Sequence, residues 1–294
     1  MMNKKSTGLI VLALIYAFAI ILGVLFFAAL SPLLNNDLLT ILIADVISTV
    51  FVWATGLVFK TASVYDPYWS VQSFIIYLLL LIKYHNWNVG TILVLSVIFL
   101  YTLRLTGNFI IGFDSLKYVD WRYKMLKEKS GKAYQLVNLL GICLFPTLVV
   151  YSASVPLFIY AQIGTFSYLN IIGLVIILGG VLLELVSDLQ MKKFIKTRTD
   201  RSQIINIGLW NYSRHPNYLG EILIWFGVGA ILIIPYPQYW FYFVGAIINL
   251  LMFLIISIPM EEKHMREYKP GLDDYKKQTS MLFILHRKKV EEQE

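Results

Sequence analysis

Charged residues are scarce in this sequence. Asp, Glu, Lys and Arg make up 15% of the 294 residues, whereas 58% are hydrophobic. Soluble domains carry roughly a quarter charged residues. So little polar surface cannot cover a water-soluble core, which excludes an ordinary soluble fold. We therefore expect an integral membrane protein surrounded by lipid.

Cysteine and histidine are also rare. The single cysteine, Cys143, lies in an apolar run, which excludes an intramolecular disulfide and a cysteine-based metal cluster. The four histidines, which are His85, His215, His264 and His286, are too scattered for a metal-ligand pattern. We find no internal repeat and expect no metal site.

The net charge of +7 is distributed in short basic segments between apolar runs. We find no nucleic-acid-reading motif, so the basic balance points to the positive-inside rule rather than to nucleic acid. Membrane lipids are the partners that this pattern implies. The oligomeric state stays open.

Eight apolar segments approach the roughly 20 residues that a helix needs to cross the hydrocarbon layer. They predict an all-α polytopic bundle. Leu9–Leu30 is too long for a signal-peptide core, so we interpret it as the first span. The third is the shortest. The segments are Leu9–Leu30, Leu39–Phe59, Tyr68–Ile82, Gly90–Ile111, Leu136–Tyr160, Leu169–Val186, Tyr218–Ile234 and Tyr239–Ile258.

Charge predicts the orientation of these spans. With both termini in the cytoplasm, all of the 25 Lys and Arg residues except Lys83 and Arg104 fall on the cytoplasmic side. We interpret residues 1–294 as one membrane domain. It contains a four-helix half (9–111), a cytoplasmic insert (112–135), a second half (136–285) and a polar tail (286–294). The insert is predicted either as a helix on the membrane surface or as a solvated loop.

Ionisable residues within or beside spans are costly and need a partner or a purpose. We expect Asp45 to pair with Arg104. Glu184, Asp188 and Lys192 are spaced four residues apart, so they share one helix face. That face is either an ion ladder at a helix end or the wall of a pocket at the membrane boundary.

The segment from Gly208 to Glu221 is the most informative part of the chain. Pro216 suits the first turn of a helix, whose free N–H groups would then face the cytoplasm and bind anions. Arg214 and His215 add donors before it, and Asn217 and Glu221 share one side of its first turns. Together they predict a ligand site.

This segment resembles the C-terminal domain of the steroid 5α-reductase-like membrane reductases. The matching residues are Gly208-Leu209-Trp210 and Ser213-Arg214-His215-Pro216-Asn217-Tyr218-x-Gly220-Glu221. The similarity is closer to the family's bacterial branch, whose members are mostly unassigned. Weaker matches are Arg104-Leu105, Asp120-Trp121-Arg122-Tyr123 and Tyr275-x-x-Gln278-Thr279-Ser280, and the resemblance covers roughly Asp66 to Leu285.

The resemblance implies NADPH in a cytosol-facing cavity of a seven-helix core, with Leu9–Leu30 as an extra helix. It implies cofactor contacts at Asp188, Asn217, Tyr218 and Glu221, and a lid or ribose contact at Tyr275. Glu184 stands where the 5α-reductases carry asparagine. Lys192 and Arg214, with His215 beside them, would be the phosphate partners.

The resemblance also implies a tyrosine and a carboxylate that polarise a substrate carbonyl. Tyr101 precedes Arg104 by three residues, as the family's tyrosine precedes its arginine, and Asp66 lies near the expected carboxylate. The expected reaction is hydride transfer from NADPH to a carbon–carbon double bond of an enone-type lipid or steroid-like substrate.

Two other functions remain open. Isoprenylcysteine and phospholipid methyltransferases, which use S-adenosylmethionine, also carry an Arg-His-Pro-x-Tyr turn and a late Glu-Glu pair. Glu261 and Glu262 are similar to that pair. A transporter or scaffold is the third, but transporters commonly show symmetric repeats and several interrupted helices, whereas here Pro146 and Pro156 interrupt only the fifth span and no repeat is visible.

Overall fold

The computed structural model describes residues 4–286, so the last residues of the expected polar tail lie outside the described part. The described residues form helices joined by loops. Seven helical segments are long and apolar enough to cross a membrane, as an integral membrane protein requires. They are Lys4–Leu34, Asp37–Phe59, Val89–Gly112, Trp121–Ile163, Asn170–Thr197, Pro216–Ile233 and Pro237–Arg266.

We number the helices α1 to α12 in chain order. They are α1 (Lys4–Leu34), α2 (Asp37–Phe59), α3 (Tyr68–Tyr84), α4 (Val89–Gly112), α5 (Trp121–Ser130), α6 (Tyr134–Val137), α7 (Phe145–Ile163), α8 (Asn170–Thr197), α9 (Pro216–Ile233), α10 (Val244–Met252), α11 (Ile258–Arg266) and α12 (Leu272–Gln278). A π-helical turn, Asn138–Leu144, joins α6 to α7, and another, Phe253–Ser257, joins α10 to α11.

The expected third span is α3, whose 17 residues make it about 25 Å long. It is too short to count among the seven segments, and a contact with another helix lies at each of its ends. Just before its start, Asp66 accepts a hydrogen bond from Tyr123 of α5. Near its end, Nζ of Lys83 lies 2.5 Å from Asp37 at the start of α2.

The chain divides into two compact units, at the boundary between Phe166 and Ser167. In the first unit α1 packs along α2, and α3 packs on α4 and α7. The insert forms a helix, α5, which begins where the Asp120 side chain accepts a hydrogen bond from the backbone of Arg122. The insert therefore contains a helix, and its location on the membrane surface stays a prediction.

The expected pairing of Asp45 with Arg104 is wrong. Asp45 accepts hydrogen bonds from the hydroxyl of Tyr68 and the amide of Gln72 instead. Tyr68 and Gln72 lie four residues apart, so one face of α3 presents both donors to the carboxylate. Neutral donors on α3 thus take the place of the expected cation.

In the second unit α8 and α9 run antiparallel in close contact through two glycine pairs. A Cβ on Gly180 would lie 2.6 Å from the backbone oxygen of Gly220, and one on Gly173 would lie 2.8 Å from that of Gly227. Small residues of this kind let membrane helices approach closely. Nδ2 of Asn170 donates to the carbonyl of Ile231 at 3.0 Å, which ties the far end of the pair.

Candidate functional site

Glu184 is placed by the contact between α8 and α9. Residues Gly173, Ile177, Gly180, Glu184 and Ser187 are all buried and follow alternating four- and three-residue steps along α8. At Gly220 of α9 an added Cβ would lie 2.5 Å from Cγ of Glu184. The glycine therefore makes room for the buried carboxyl side chain beside the first turns of α9.

The turn before α9 is held against the end of α8. Gly208 adopts a φ of +57°, a conformation that favours glycine, and the backbone N–H of Leu209 then donates to Oε1 of Gln190 at 2.9 Å. Nε1 of Trp210 donates to the carbonyl of Ser187 at 3.0 Å. The two contacts hold the turn against the face of α8 that carries Ser187 and Gln190.

Arg214 lies in a buried ion pair with Glu262 of α11. Its Nε donates to Oε1 of Glu262 at 2.9 Å, and its Nη1 donates to the carbonyls of Lys276 at 3.2 Å and Thr279 at 2.7 Å. Nε2 of His215 is 3.3 Å from the same carboxylate oxygen. Nζ of Lys276 donates to the other oxygen at 2.6 Å. Arg214 and His215 thus serve the turn's own structure.

Tyr275 contributes to the same support. Its side chain is buried, and its hydroxyl donates to the carbonyl of Trp210. The backbone N–H of Arg214 donates to the carbonyl of Ser280 at 2.9 Å, and Oγ of Ser213 donates to the carbonyl of Leu282 at 2.7 Å. The segment from Tyr275 to Ser280, which the resemblance identifies, is therefore joined to the turn by hydrogen bonds.

The first turn of α9 begins with Pro216, and no side chain caps it. Its leading N–H groups therefore keep the positive end of the helix dipole available to an anion. Asn217 is partly exposed, and its side chain forms no hydrogen bond with other described residues. Tyr218 stacks on His215 with ring centroids 5.4 Å apart, and Glu221 accepts from Nε1 of Trp225 at 2.7 Å.

Lys192 forms no ion pair with any residue that the structure describes, although Asp188 lies one turn away on the same helix. The ion-ladder interpretation of this face is therefore incomplete at its cationic end. Lys192 remains partly exposed and able to bind an external anion.

Asp66 and Tyr101 lie in the first unit and do not form the expected phenol–carboxyl contact. Asp66 accepts its hydrogen bond from Tyr123, whereas Tyr101 is fully buried in α4. One residue after Tyr101, Oγ1 of Thr102 donates to the carbonyl of Ser70, which places this part of α4 beside α3 beyond Asp66. Burial raises the pKa of Asp66 from 3.8 to about 6, although the positive charge of Arg122 and the Tyr123 hydrogen bond oppose that rise.

Reasoning from the sequence does not identify Glu262, Lys276 or Tyr123 as site residues. Glu262 belongs to the Glu-Glu pair that is similar to one in methyltransferases, and Tyr123 belongs to one of the weaker motif matches. Each residue stands in or near a motif, but its bonding partner is distant in the chain. Arg214 and Glu262 are 48 residues apart, Glu262 and Lys276 are 14 apart, and Asp66 and Tyr123 are 57 apart.

The comparison with protein families matches residues 52–280 to DUF1295, described as a protein of unknown function. No curated protein and no solved structure matches the chain. The matched range covers most of the chain and contains α3, α4 and the whole turn from Gly208 to Glu221. The chain therefore belongs to the DUF1295 family, which is the steroid 5α-reductase-like family of membrane proteins.

Proposed function

We propose that this protein is an NADPH-dependent reductase that acts on a carbon–carbon double bond of a hydrophobic, enone-type lipid. The observation that carries the proposal is the contact of α8 with the first turns of α9, where Glu184 lies beside Gly220 and no side chain caps the start of the helix. Anion-binding N–H groups, carboxylates and an unpaired lysine there fit a phosphorylated dinucleotide.

The roles of the site residues follow from their surroundings. Asn217, Tyr218 and Glu221 would contact the cofactor from α9, and Glu184 and Asp188 from α8. Lys192 would pair with a phosphate. Because Arg214, His215 and Tyr275 are bonded to the protein itself, we assign them to holding the turn in the binding conformation. Bound NADPH would supply the hydride.

On the substrate side, Tyr101 and Asp66 remain the groups proposed to polarise the carbonyl. A hydrogen bond donated to that oxygen stabilises the negative charge that develops as hydride reaches the β-carbon. Tyr123 would orient Asp66, since its hydroxyl already donates to that carboxyl group. We further propose that the host is a bacterial cytoplasmic membrane with both termini in the cytoplasm, as the basic segments predict.

The test is a titration of the purified full chain in detergent with NADPH, in which the fluorescence of the cofactor measures binding. Asn217→Ala removes an amide that bonds to no other described residue, so it should raise the Kd at least about tenfold without destabilising the fold. Asn206→Ala, at an exposed loop position, is the matched control. Glu221→Gln should abolish NADPH binding while membrane insertion is retained.

Lys192→Ala should weaken the binding of NADPH, whereas Lys193→Ala, on the exposed neighbouring face, should leave it unchanged. Unchanged affinity in Asn217→Ala, Glu221→Gln and Lys192→Ala would overturn the assignment of this site.

A methyltransferase is the second candidate, because Arg214 and His215 meet Glu262, and the methyltransferases also carry an Arg-His-Pro turn and a Glu-Glu pair. Those residues bond to one another here and so do not discriminate between the cofactors. Binding of S-adenosylmethionine in the same assay, with no binding of NADPH, would establish the methyltransferase reading.

A further inference from the structure

Helices α1, α2 and α3 of the first unit line a cavity of about 280 Å³ that is open on one side. Its wall is largely aliphatic and includes Ile20, Ile41, Ile75, Ile76 and Leu79. That volume is far larger than one water needs and approaches the size of small-molecule pockets. Its α1 wall and Asp45 precede residue 52, so the family match does not cover them.

The polar end of this cavity is formed by Asp45, Tyr68 and Gln72. The hydroxyl of Tyr68 donates to Oδ1 of Asp45 at 2.9 Å, and Nε2 of Gln72 donates to Oδ2. Both donors are therefore used within the protein. Two further hydroxyls on the wall are also used, since Tyr16 donates to the carbonyl of Val64 and Ser48 to that of Ala19.

The side-chain carbonyl of Gln72 lacks a hydrogen-bond donor among the described residues. The residue is 5% exposed, and its Oε1 forms no hydrogen bond with any residue that the structure describes. The bond from Nε2 to a carboxylate, which accepts, fixes which end of the amide remains. A buried acceptor without a donor is unfavourable, so the occupant of this cavity should supply an N–H or O–H group.

We propose that this cavity binds a membrane-soluble alcohol, whose hydroxyl donates to Oε1 of Gln72 while its apolar body lies along α1 and α3. The far end lies at Lys83, which Asp37 holds in an ion pair. Gln72 and Lys83 are separated by about 17 Å along α3, a length that suits a chain or a fused-ring body.

This ligand class differs from the enone of the proposed reaction. A ketone only accepts hydrogen bonds, so its oxygen would face the lone pairs of Gln72 and Asp45 without a donor between them. The site thus goes beyond the proposed function and does not depend on whether a dinucleotide binds in the second unit.

The experiment uses the purified full chain and a diazirine-bearing long-chain primary alcohol as a photoaffinity probe. Peptides of α1, α2 and α3 should be labelled. The unlabelled alcohol should compete at a concentration about tenfold lower than its methyl ether, which has the same chain but no donor. Equal competition by alcohol and ether would overturn the proposal, as would the absence of labelling in a cavity filled by water alone.

Two pairs of variants locate the site. Ile20→Trp fills the cavity and should remove labelling, whereas Ile21→Trp points outward and should not. Gln72→Leu should abolish the preference for alcohol over ether, whereas Gln162→Leu, an exposed glutamine of the same unit, should keep it. Equal labelling in Ile20→Trp and Ile21→Trp would overturn the assignment even if Gln72→Leu folded poorly.

Discussion

Glu262 accepts a hydrogen bond from Nε of Arg214 at 2.9 Å, across 48 residues of sequence, and both side chains are buried. Removing one partner of a buried ion pair leaves the other charge uncompensated, at a cost of roughly 3–5 kcal/mol. Glu262→Gln should therefore lower the unfolding temperature measured in detergent. Glu267→Gln, at an exposed pair with His264, should leave it nearly unchanged. Equal unfolding temperatures would show that the pair does not stabilise the turn.

Two adjacent glycines of α8 should respond oppositely to alanine. A Cβ at Gly180 would meet the Gly220 backbone oxygen at 2.6 Å, while one at Gly179 would meet nothing within 4 Å. Gly180→Ala should destabilise the contact between α8 and α9 and weaken cofactor binding. Gly179→Ala should be neutral or stabilise by up to about 1 kcal/mol. Thermal unfolding and NADPH titration measure both effects, and equal behaviour of the two variants would contradict the close contact.

The raised pKa of Asp66 predicts a pH dependence of stability. Folded Asp66 holds its proton up to about pH 6, whereas in the unfolded chain it loses the proton near 3.8. The folded state therefore binds more protons between these values, and stability should fall as pH rises from about 4 to about 6. Asp66→Asn should flatten this part of the profile. Asp114→Asn, at an exposed position, should leave the profile unchanged. An unaltered slope in Asp66→Asn would mean that another group causes the pH dependence.

Cysteine accessibility tests whether α3 crosses the membrane. In a Cys143→Ser background, Lys60→Cys lies before α3 and His85→Cys directly after it, and both positions are exposed. A membrane-impermeant maleimide should label them from opposite sides, with Lys60→Cys labelled from the cytoplasm. Labelling of both from one side would mean that α3 is re-entrant.

Tyr101 should be required for turnover but not for binding of the cofactor. Tyr101→Phe removes only the hydroxyl proposed to donate to the substrate carbonyl, so NADPH affinity should stay the same while kcat falls by about a hundredfold or more. NADPH oxidation across a panel of enone lipids measures kcat. Tyr77→Phe, at another fully buried tyrosine of the first unit, controls for loss of a buried hydroxyl. Full activity of Tyr101→Phe would remove that residue from the mechanism.

The sequence by itself determined the membrane class, the approximate position of the spans and the start of a helix at Pro216. These features are local: hydropathy is read over about 20 neighbouring residues, and Pro216 sets a helix start through its own ring. The same locality made α3 the weakest prediction, since the contacts at its two ends, with Tyr123 and with Asp37, join residues that are far apart in the sequence.

Only the tertiary structure decided the partners of the buried polar groups. Asp45 bonds to Tyr68 and Gln72 rather than Arg104, Asp66 to Tyr123 rather than Tyr101, and Arg214 to Glu262. A buried charge takes whichever donor or acceptor the packing brings within about 3 Å, and that depends on the rotation and depth of each helix. Composition and spacing carry no information on either quantity between distant helices.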